Sequence, residues 1–119
     1  MPELQWRIFQ ANLDLVRGSE QAGSRPVLVV SRESIHRSLP VVGICPLTSL
    51  KPGRKVYPTE IFLPAGQAGL TLDSLVMAHQ VRTVAKERLG KALGLLSDQS
   101  LRRTVREALR LFLAFDQVD

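Results

Sequence analysis

A glycine-punctuated polar loop over residues 15–25 carries the side chains of this chain that are best suited to anion chemistry. Glu20, Gln21 and Arg25 lie in it, just before the apolar run 27–30. The Arg25 guanidinium stays charged at any relevant pH, and its planar fork matches phosphate oxygens. Two interpretations are open: Glu20 and Arg25 form an ordinary surface ion pair, or both face a bound phosphate and ribose. The residues alone favour the ion pair.

Two adjacent hydroxyls, Thr48 and Ser49, follow the apolar run 41–45. Hydroxyls at a strand end usually make turn hydrogen bonds, although they can also donate to a phosphate. No G-x-S-x-G nucleophile motif and no G-x-x-x-x-G-K-[ST] phosphate loop occurs in the chain. A nucleotide hydrolase is therefore not expected.

A third polar group lies toward the end of the predicted strand 74–84. Strand alternation places Gln80 and Arg82 on one face and His79 on the other. Gln80 and Arg82 together are suited to reading a base edge and a phosphate. His79 is either a general base or a structural hydrogen-bonding residue, and we favour the structural role.

Bulk properties limit the classes of protein that remain. The 119 residues fit one domain, 1–119, and the net charge of +5 favours a polyanionic partner or simply solubility. No apolar run is long enough for a membrane span, and the N-terminus lacks a signal-peptide pattern. Cys45 is the only cysteine and has no metal-binding spacing with His36 or His79. We therefore expect a cytoplasmic protein without a metal or cofactor, and Cys45 as a small buried residue in a strand.

The elements that position these residues are short strands followed by one helix. The pattern predicts a strand over 7–14, with Ile8 and Leu13 inward, and a helix from about residue 98 capped by Ser97. Ser31 is a candidate cap for a turn around 32–37. Further strands are predicted over 27–30, 41–45, 60–63, 74–84 and 89–95, and the apolar helix positions are Leu101, Val105, Ala108, Leu109, Phe112 and Phe115. This order indicates an α+β, mainly β fold: a small antiparallel sheet or barrel with a terminal helix.

Three separated segments resemble the MazF/PemK family of bacterial toxin ribonucleases, in matching order and spacing. They are residues 12–31, which contain G-S-E-Q and R-P, residues 46–61, which contain P-L-T-S, and residues 75–90, which contain A-H-Q-V-R-T-V. Together they cover most of the chain. G-S-E-Q alone is a weak signal, whereas the ordered set is a specific one.

The resemblance implies an SH3-like barrel of the CcdB/PemK type with a C-terminal α-helix, acting as a homodimer. It implies a metal-independent endoribonuclease that cuts single-stranded RNA at short sequences, and a cognate antitoxin with a disordered, often acidic segment. The family's catalytic positions fall on Arg25 and Thr48, with Glu20 implicated in some members. Contacts to RNA are expected from the remaining polar residues of the three segments: Ser19, Gln21, Ser49, Gln80 and Arg82.

The chain departs from the family pattern in three places: Trp6-Arg7 before the first strand, Asp14-Leu15-Val16 at the loop entry, and His79 in place of an acidic residue. These changes affect loop geometry and sequence preference and leave Arg25 and Thr48 in place. Two rival functions stay open: a CcdB-like gyrase poison on the same barrel, and a non-catalytic RNA-binding module.

Overall fold

The computed structural model describes residues 3–13 and 23–118, which form seven strands, two helices and three 3₁₀ turns. The strands are β1 (Arg7–Leu13), β2 (Gly23–Val29), β3 (Val41–Ser49), β4 (Glu60–Leu63), β5 (Ser74–Met77), β6 (Arg82–Ala85) and β7 (Leu89–Leu95). The helices are α1 (Glu33–His36) and α2 (Gln99–Phe112), and the turns are Gln67–Gly69, Ala78–Gln80 and Lys86–Arg88.

All strand pairs are antiparallel, in the order β4-β5-β3-β2-β1-β7, with β6 on the first half of β3. This confirms the predicted class, mainly β with a C-terminal helix. Within the described residues no ladder joins the outer strands β4 and β7, so the predicted barrel is not closed. None of the described helices is long and apolar enough to cross a membrane.

The central strands β1 and β2 are covered on both faces. Ile8 and Leu28 pack into one hydrophobic cluster with Trp6 and α2, while Leu13, Val27 and Val29 pack into a second cluster on the other face. The burial of Ile8 and Leu13 is therefore confirmed, although the two residues lie in different clusters. The continuous apolar run at 27–29 reflects this two-sided covering.

The long strand predicted over 74–84 is wrong, and so is the early end of the strand predicted over 41–45. β3 continues to Ser49 and pairs with β6 along its first half and with β5 along its last three residues. The register slips by three residues between these two ladders, and the turn Ala78–Gln80 takes up the slip. The slip occurs beside Pro46, which has no N–H to donate to a neighbouring strand.

Helix α2 begins one residue later than predicted. Asp98, not Ser97, is its N-cap, and the Asp98 carboxylate accepts the N–H of Leu101 at 3.0 Å. Val105 and Ala108 are buried as predicted, whereas Phe112 and Phe115 are exposed. Phe112 is the last residue of α2, so the apolar face of the helix extends beyond the core, whereas Phe115 lies past the end of the helix and not on the predicted face.

The predicted cap at Ser31 is also wrong, because Arg32 is the N-cap of α1 and makes no side-chain cap bond. The Ser31 hydroxyl instead accepts the N–H of Gly43 and hydrogen-bonds to the buried His36 ring. The Glu33 carboxylate accepts the N–H groups of Leu4 and Gln5. Side chains of the 31–36 segment thus tie the start of the chain to β3.

Candidate active site

A cleft of about 530 Å³ opens at the start of β2 and the end of β3 and is lined by two of the predicted catalytic residues, Arg25 and Thr48. Its walls come from β1, β2, β3, the segment 69–74 and β7. The lining residues are Gln10, Ser24, Arg25, Pro26, Leu47, Thr48, Ser49, Lys51, Gly69, Leu70, Thr71, Leu72, Ser74 and Leu93. Five separate parts of the chain thus build one cleft.

Arg25 lies on strand β2 rather than in the predicted loop 15–25, since β2 begins at Gly23. It is paired with Ala11 across the β1–β2 ladder, which fixes its backbone. One terminal nitrogen of the guanidinium, Nη1, donates to the carbonyl of Leu47 at 3.5 Å. The side chain is half-buried, so the cation lies at the cleft wall within reach of solvent.

Thr48 approaches Arg25 because of the register between β2 and β3. Val27 pairs with Pro46, and continuing that antiparallel register for two residues places Thr48 opposite Arg25. Thr48 and Ser49 belong to the part of β3 that pairs with β5, opposite Leu75 and Ser74. Both hydroxyl residues are half-buried and line the cleft. The guanidinium and the hydroxyls are therefore brought to one concave surface.

The charged residues of this cleft that belong to the described ranges have one sign. Among the described residues that line the cleft, Arg25 and Lys51 are cationic and none is acidic. The remaining polar groups are hydroxyls and one carboxamide, that of Gln10, which donates to the Ser24 hydroxyl at 3.2 Å. A concave, partly apolar wall with converging cations and hydroxyls suits a phosphodiester and its flanking groups.

Gln80 and Arg82 are not among the residues that line this cleft. Gln80 is in the 3₁₀ turn after β5, so the strand alternation that placed it on one face with Arg82 does not apply. Arg82 pairs with Ile44 at the β3–β6 ladder, and its Nη1 is buried with no hydrogen-bond partner among the described residues. Their contact with RNA stays a prediction.

His79 lies in a second depression of about 430 Å³, with Tyr57, Pro58, Thr59 and Leu111. Its Nδ1 hydrogen-bonds to the Thr59 hydroxyl at 3.0 Å. That bond agrees with the structural role favoured from the sequence. The residue is not among those that line the cleft with Arg25.

Ser19, Glu20 and Gln21 lie outside the described residues. Both predicted arrangements, a Glu20–Arg25 ion pair and a phosphate site shared by the two residues, therefore stay predictions. In the sequence they shortly precede Gly23, the first residue of β2, which is followed by the cleft residues Ser24 and Arg25.

Sequence reasoning missed several residues that line the cleft, chiefly Gln10, Ser24, Thr71 and Leu72. The lining residue Lys51 is also absent from the predicted site residues. The alternation of β1 gives a weak signal for Gln10, because it is a polar residue between the buried Phe9 and Ala11. Nothing in the composition of 69–72 distinguishes it from an ordinary loop, since its place at the cleft depends on long-range packing.

An ion pair between the buried Glu60 carboxylate and the half-buried Arg54 guanidinium shapes the turn that follows Ser49. The Glu60 carboxylate accepts hydrogen bonds from both terminal nitrogens of Arg54, at 2.9 and 2.8 Å, and from the N–H of Tyr57 at 3.0 Å. The Arg54 guanidinium holds the pKa of Glu60 below its usual range, aided by the Tyr57 N–H and opposed by burial. The pair fixes residues 54–60, which connect the cleft to the second depression.

Cys45 is buried in β3, as predicted, and burial raises the pKa of its thiol to about 12. A thiol with this pKa carries no thiolate near neutral pH, so Cys45 is neither a nucleophile nor a metal ligand in this state. It packs in the hydrophobic cluster that contains Ile8 and Leu28.

The chain belongs to the family of PemK-like, MazF-like toxins of type II toxin–antitoxin systems, whose model matches residues 4–113. It is 37% identical to endoribonuclease MazF9 of Mycobacterium tuberculosis, over 89% of this chain and 92% of that protein. It is 35% identical to endoribonuclease EndoA of Bacillus subtilis, over 90% of each chain. Among solved structures, MazE–MazF from Deinococcus radiodurans superposes with a TM-score of 0.71 at 28% identity, covering 95% of this chain and 96% of the other.

Proposed function

We propose that this protein is a toxin endoribonuclease that cleaves single-stranded RNA at short sequences without a metal ion. The observation that carries the proposal is the convergence of Arg25, Thr48 and Ser49 on a cleft with two cations and no acid among its described lining residues. The family membership and the endoribonuclease relatives support the same activity. The same family match favours the nuclease over a gyrase poison.

The chemistry uses the 2′-hydroxyl of RNA as nucleophile. Its oxygen loses its proton to a base and attacks the adjacent phosphorus, the bond to the 5′-oxygen breaks, and that oxygen takes up a proton from water. The products are a 2′,3′-cyclic phosphate and a 5′-hydroxyl. Arg25 stabilises the extra negative charge on the phosphoryl oxygens, and Thr48 donates a hydrogen bond to one of them. DNA lacks the nucleophile and is not cut by this route.

Proton transfer needs a group other than Arg25. A guanidinium does not lose its proton at physiological pH, so it cannot accept the 2′-OH proton. Glu20 is the carboxylate that the sequence supplies next to β2, and we assign it the role of general base. Contacts to the rest of the RNA are assigned to Ser19, Gln21, Ser49, Gln80 and Arg82.

A homodimer is the second part of the proposal. Exposed apolar residues gather at the end of α2 and beside the second depression: Tyr57, Leu111, Phe112, Leu113 and Phe115. We name them the C-terminal apolar patch. Phe115 is 76% exposed, a large apolar area to leave in water. A second copy of this chain is the occupant we propose for the patch.

An antitoxin is the third part. The net charge of +5 and the cationic cleft favour an acidic, flexible segment that competes with RNA for the same groups. The structural similarity to MazE–MazF supports such a partner. We place this toxin and its antitoxin in the cytoplasm, where mRNA is found.

The test is incubation of the purified protein with a long single-stranded RNA in the presence of EDTA. We expect discrete fragments that carry 5′-hydroxyl and 2′,3′-cyclic phosphate ends. Intact RNA together with inhibition of gyrase selects the CcdB-like rival, and intact RNA that is bound without cleavage selects the non-catalytic module.

A further inference from the structure

The segment 69–72 gives the cleft an apolar wall that phosphate binding does not require. Thr71 and Leu72 are exposed and line the same cleft as Arg25 and Thr48, and Leu72 is 62% exposed. A leucine this exposed in a concave site gains free energy when a flat apolar surface covers it. In RNA the groups beside a phosphate that offer such a surface are the nucleobases.

Hydrogen bonds fix this segment at both ends. Before it, the N–H of Gly66 donates to the carbonyl of Leu70 at 2.7 Å. After it, the Ser74 hydroxyl donates to the carbonyl of Leu72 at 2.9 Å, and the N–H of Leu50 donates to the carbonyl of Asp73 at 2.9 Å. The hydrogen bond from Leu50 ties the segment to the residue that directly follows Thr48 and Ser49. The wall therefore has a set position relative to those hydroxyls.

A contact between two glycines fixes the wall from behind. A Cβ built on Gly94 of β7 would lie 2.4 Å from the carbonyl carbon and oxygen of Ala68. A Cβ built on Gly69 would lie 1.9 Å from the carbonyl oxygen of Leu93. Both distances are too short for any real side chain. The backbone of 68–69 can therefore contact β7 only because Gly69 and Gly94 have no side chain. Any side chain at Gly94 must displace the wall.

We propose that Leu72 and Thr71 form a nucleobase-binding subsite, next to the scissile phosphate, that selects the base at one position of the cleavage sequence. The Leu72 side chain packs on the face of the base, and the Thr71 hydroxyl hydrogen-bonds to its edge. Gly69 and Gly94 position the subsite. The inference rests on the proposed nuclease function. It adds a surface that determines specificity, and the residues of that surface lie outside the three segments that resemble the family.

The subsite is tested with Leu72→Ala on a pool of RNA oligonucleotides randomised around the cleavage site, with sequencing of the fragment ends. Leu39→Ala is the matched control, since Leu39 is 48% exposed and does not line the cleft. We expect Leu72→Ala to lower the preference for the favoured base at one position by about tenfold. Leu39→Ala should keep the wild-type profile.

Gly94→Ala provides a second, independent readout. It leaves Thr71 and Leu72 unchanged but moves their backbone, so it should relax the preference at the same position as Leu72→Ala. Relaxation at that shared position supports the subsite, because a general loss of folding would not select one position.

Three results overturn the inference. A wild-type base profile for Leu72→Ala removes the subsite while leaving the nuclease function intact, since the RNA is still cut. A change in sedimentation from dimer to monomer in Leu72→Ala makes Leu72 an interface residue instead. Failure of the wild-type protein to cut any RNA overturns the nuclease function itself, and that failure is seen before any variant is compared.

Discussion

At the scale of single residues, Arg25 and Thr48 divide the work that cleavage of a phosphodiester needs. Arg25 supplies a charge that no accessible pH removes, and its place on β2 is fixed by the ladder to Ala11. Thr48 supplies a neutral donor two residues beyond the end of the β2–β3 ladder. Neither side chain is suited to accept the 2′-OH proton. For that reason we assign the role of general base to Glu20, which lies outside the described residues.

Thr48→Val removes the donor while keeping the shape of the side chain. We expect the single-turnover rate of RNA cleavage to fall roughly tenfold to a hundredfold, because one preorganised hydrogen bond to the phosphoryl group is lost. Thr104→Val, on the exposed surface of α2, is the matched control and should cleave at the wild-type rate. Equal rates for Thr48→Val and wild type would remove Thr48 from the mechanism.

The types of residue at the site could be predicted from the sequence, whereas the spatial proximity of these residues could not. The hydroxyls at 48 and 49 and the arginine at 25 stand out by chemistry alone. Their proximity depends on the register between strands about twenty residues apart in sequence, which no local pattern specifies. Leu72 gave no local signal, because an exposed leucine in a loop is unremarkable until the loop is seen to form a wall.

At the scale of elements, the change of pairing partner along β3 explains the main error in the predicted strands. β3 pairs with β6 and then with β5, so the single strand predicted over 74–84 becomes two strands with a turn between them. Strands with a full set of local signals, such as β4 between Pro58 and Pro64, appear at the predicted residues. The break at 78–80 carries no glycine or proline, and it is imposed by the neighbouring strand.

The Arg54–Glu60 pair gives the turn before β4 a measurable dependence on pH. Because hydrogen bonds from Arg54 lower the pKa of Glu60, the stability that this carboxylate contributes is complete above about pH 4.5 and is lost as the pH falls through the lower pKa of the folded state. Glu60→Ala should lower the free energy of unfolding at pH 7 by about 1–3 kcal/mol. Its difference from wild type should shrink as the pH falls below about 4.5.

Urea unfolding of wild type and Glu60→Ala at a series of pH values measures this difference. Glu107→Ala, which removes an exposed glutamate of α2, is the control and should lie close to wild type throughout. A Glu60→Ala difference that stays constant down to pH 3 would contradict the assigned role of the ionised carboxylate.

At the scale of the whole molecule, the fold separates two surfaces with different chemistry. The described lining of the cleft, at the start of β2 and the end of β3, is cationic and partly polar, while the C-terminal apolar patch lies at the end of α2. Helical periodicity predicted an apolar face through Phe115, whereas α2 ends at Phe112, and both phenylalanines are exposed in excess of what the core needs. The excess suits a contact between chains.

Replacing Phe112 and Phe115 together with serine should convert the protein from dimer to monomer. Sedimentation equilibrium of the wild type should give twice the 13.2 kDa mass of one chain, and the double variant should give the single mass at the same concentration. Ile35→Ser, at a residue of α1 with similar exposure to Phe112, should remain dimeric. A wild-type monomer, or a double variant that stays dimeric, would place the interface elsewhere or remove it.

The most direct test of the proposed mechanism is the single-turnover cleavage rate of Arg25→Ala on a defined single-stranded RNA in EDTA. Arg103→Ala, which removes an exposed arginine of α2, provides the matched loss of one positive charge. We expect Arg25→Ala to lose at least about a hundredfold to a thousandfold in rate, with an unchanged circular dichroism spectrum and melting temperature, while Arg103→Ala cleaves normally. Cleavage by a folded Arg25→Ala at the wild-type rate would contradict the account.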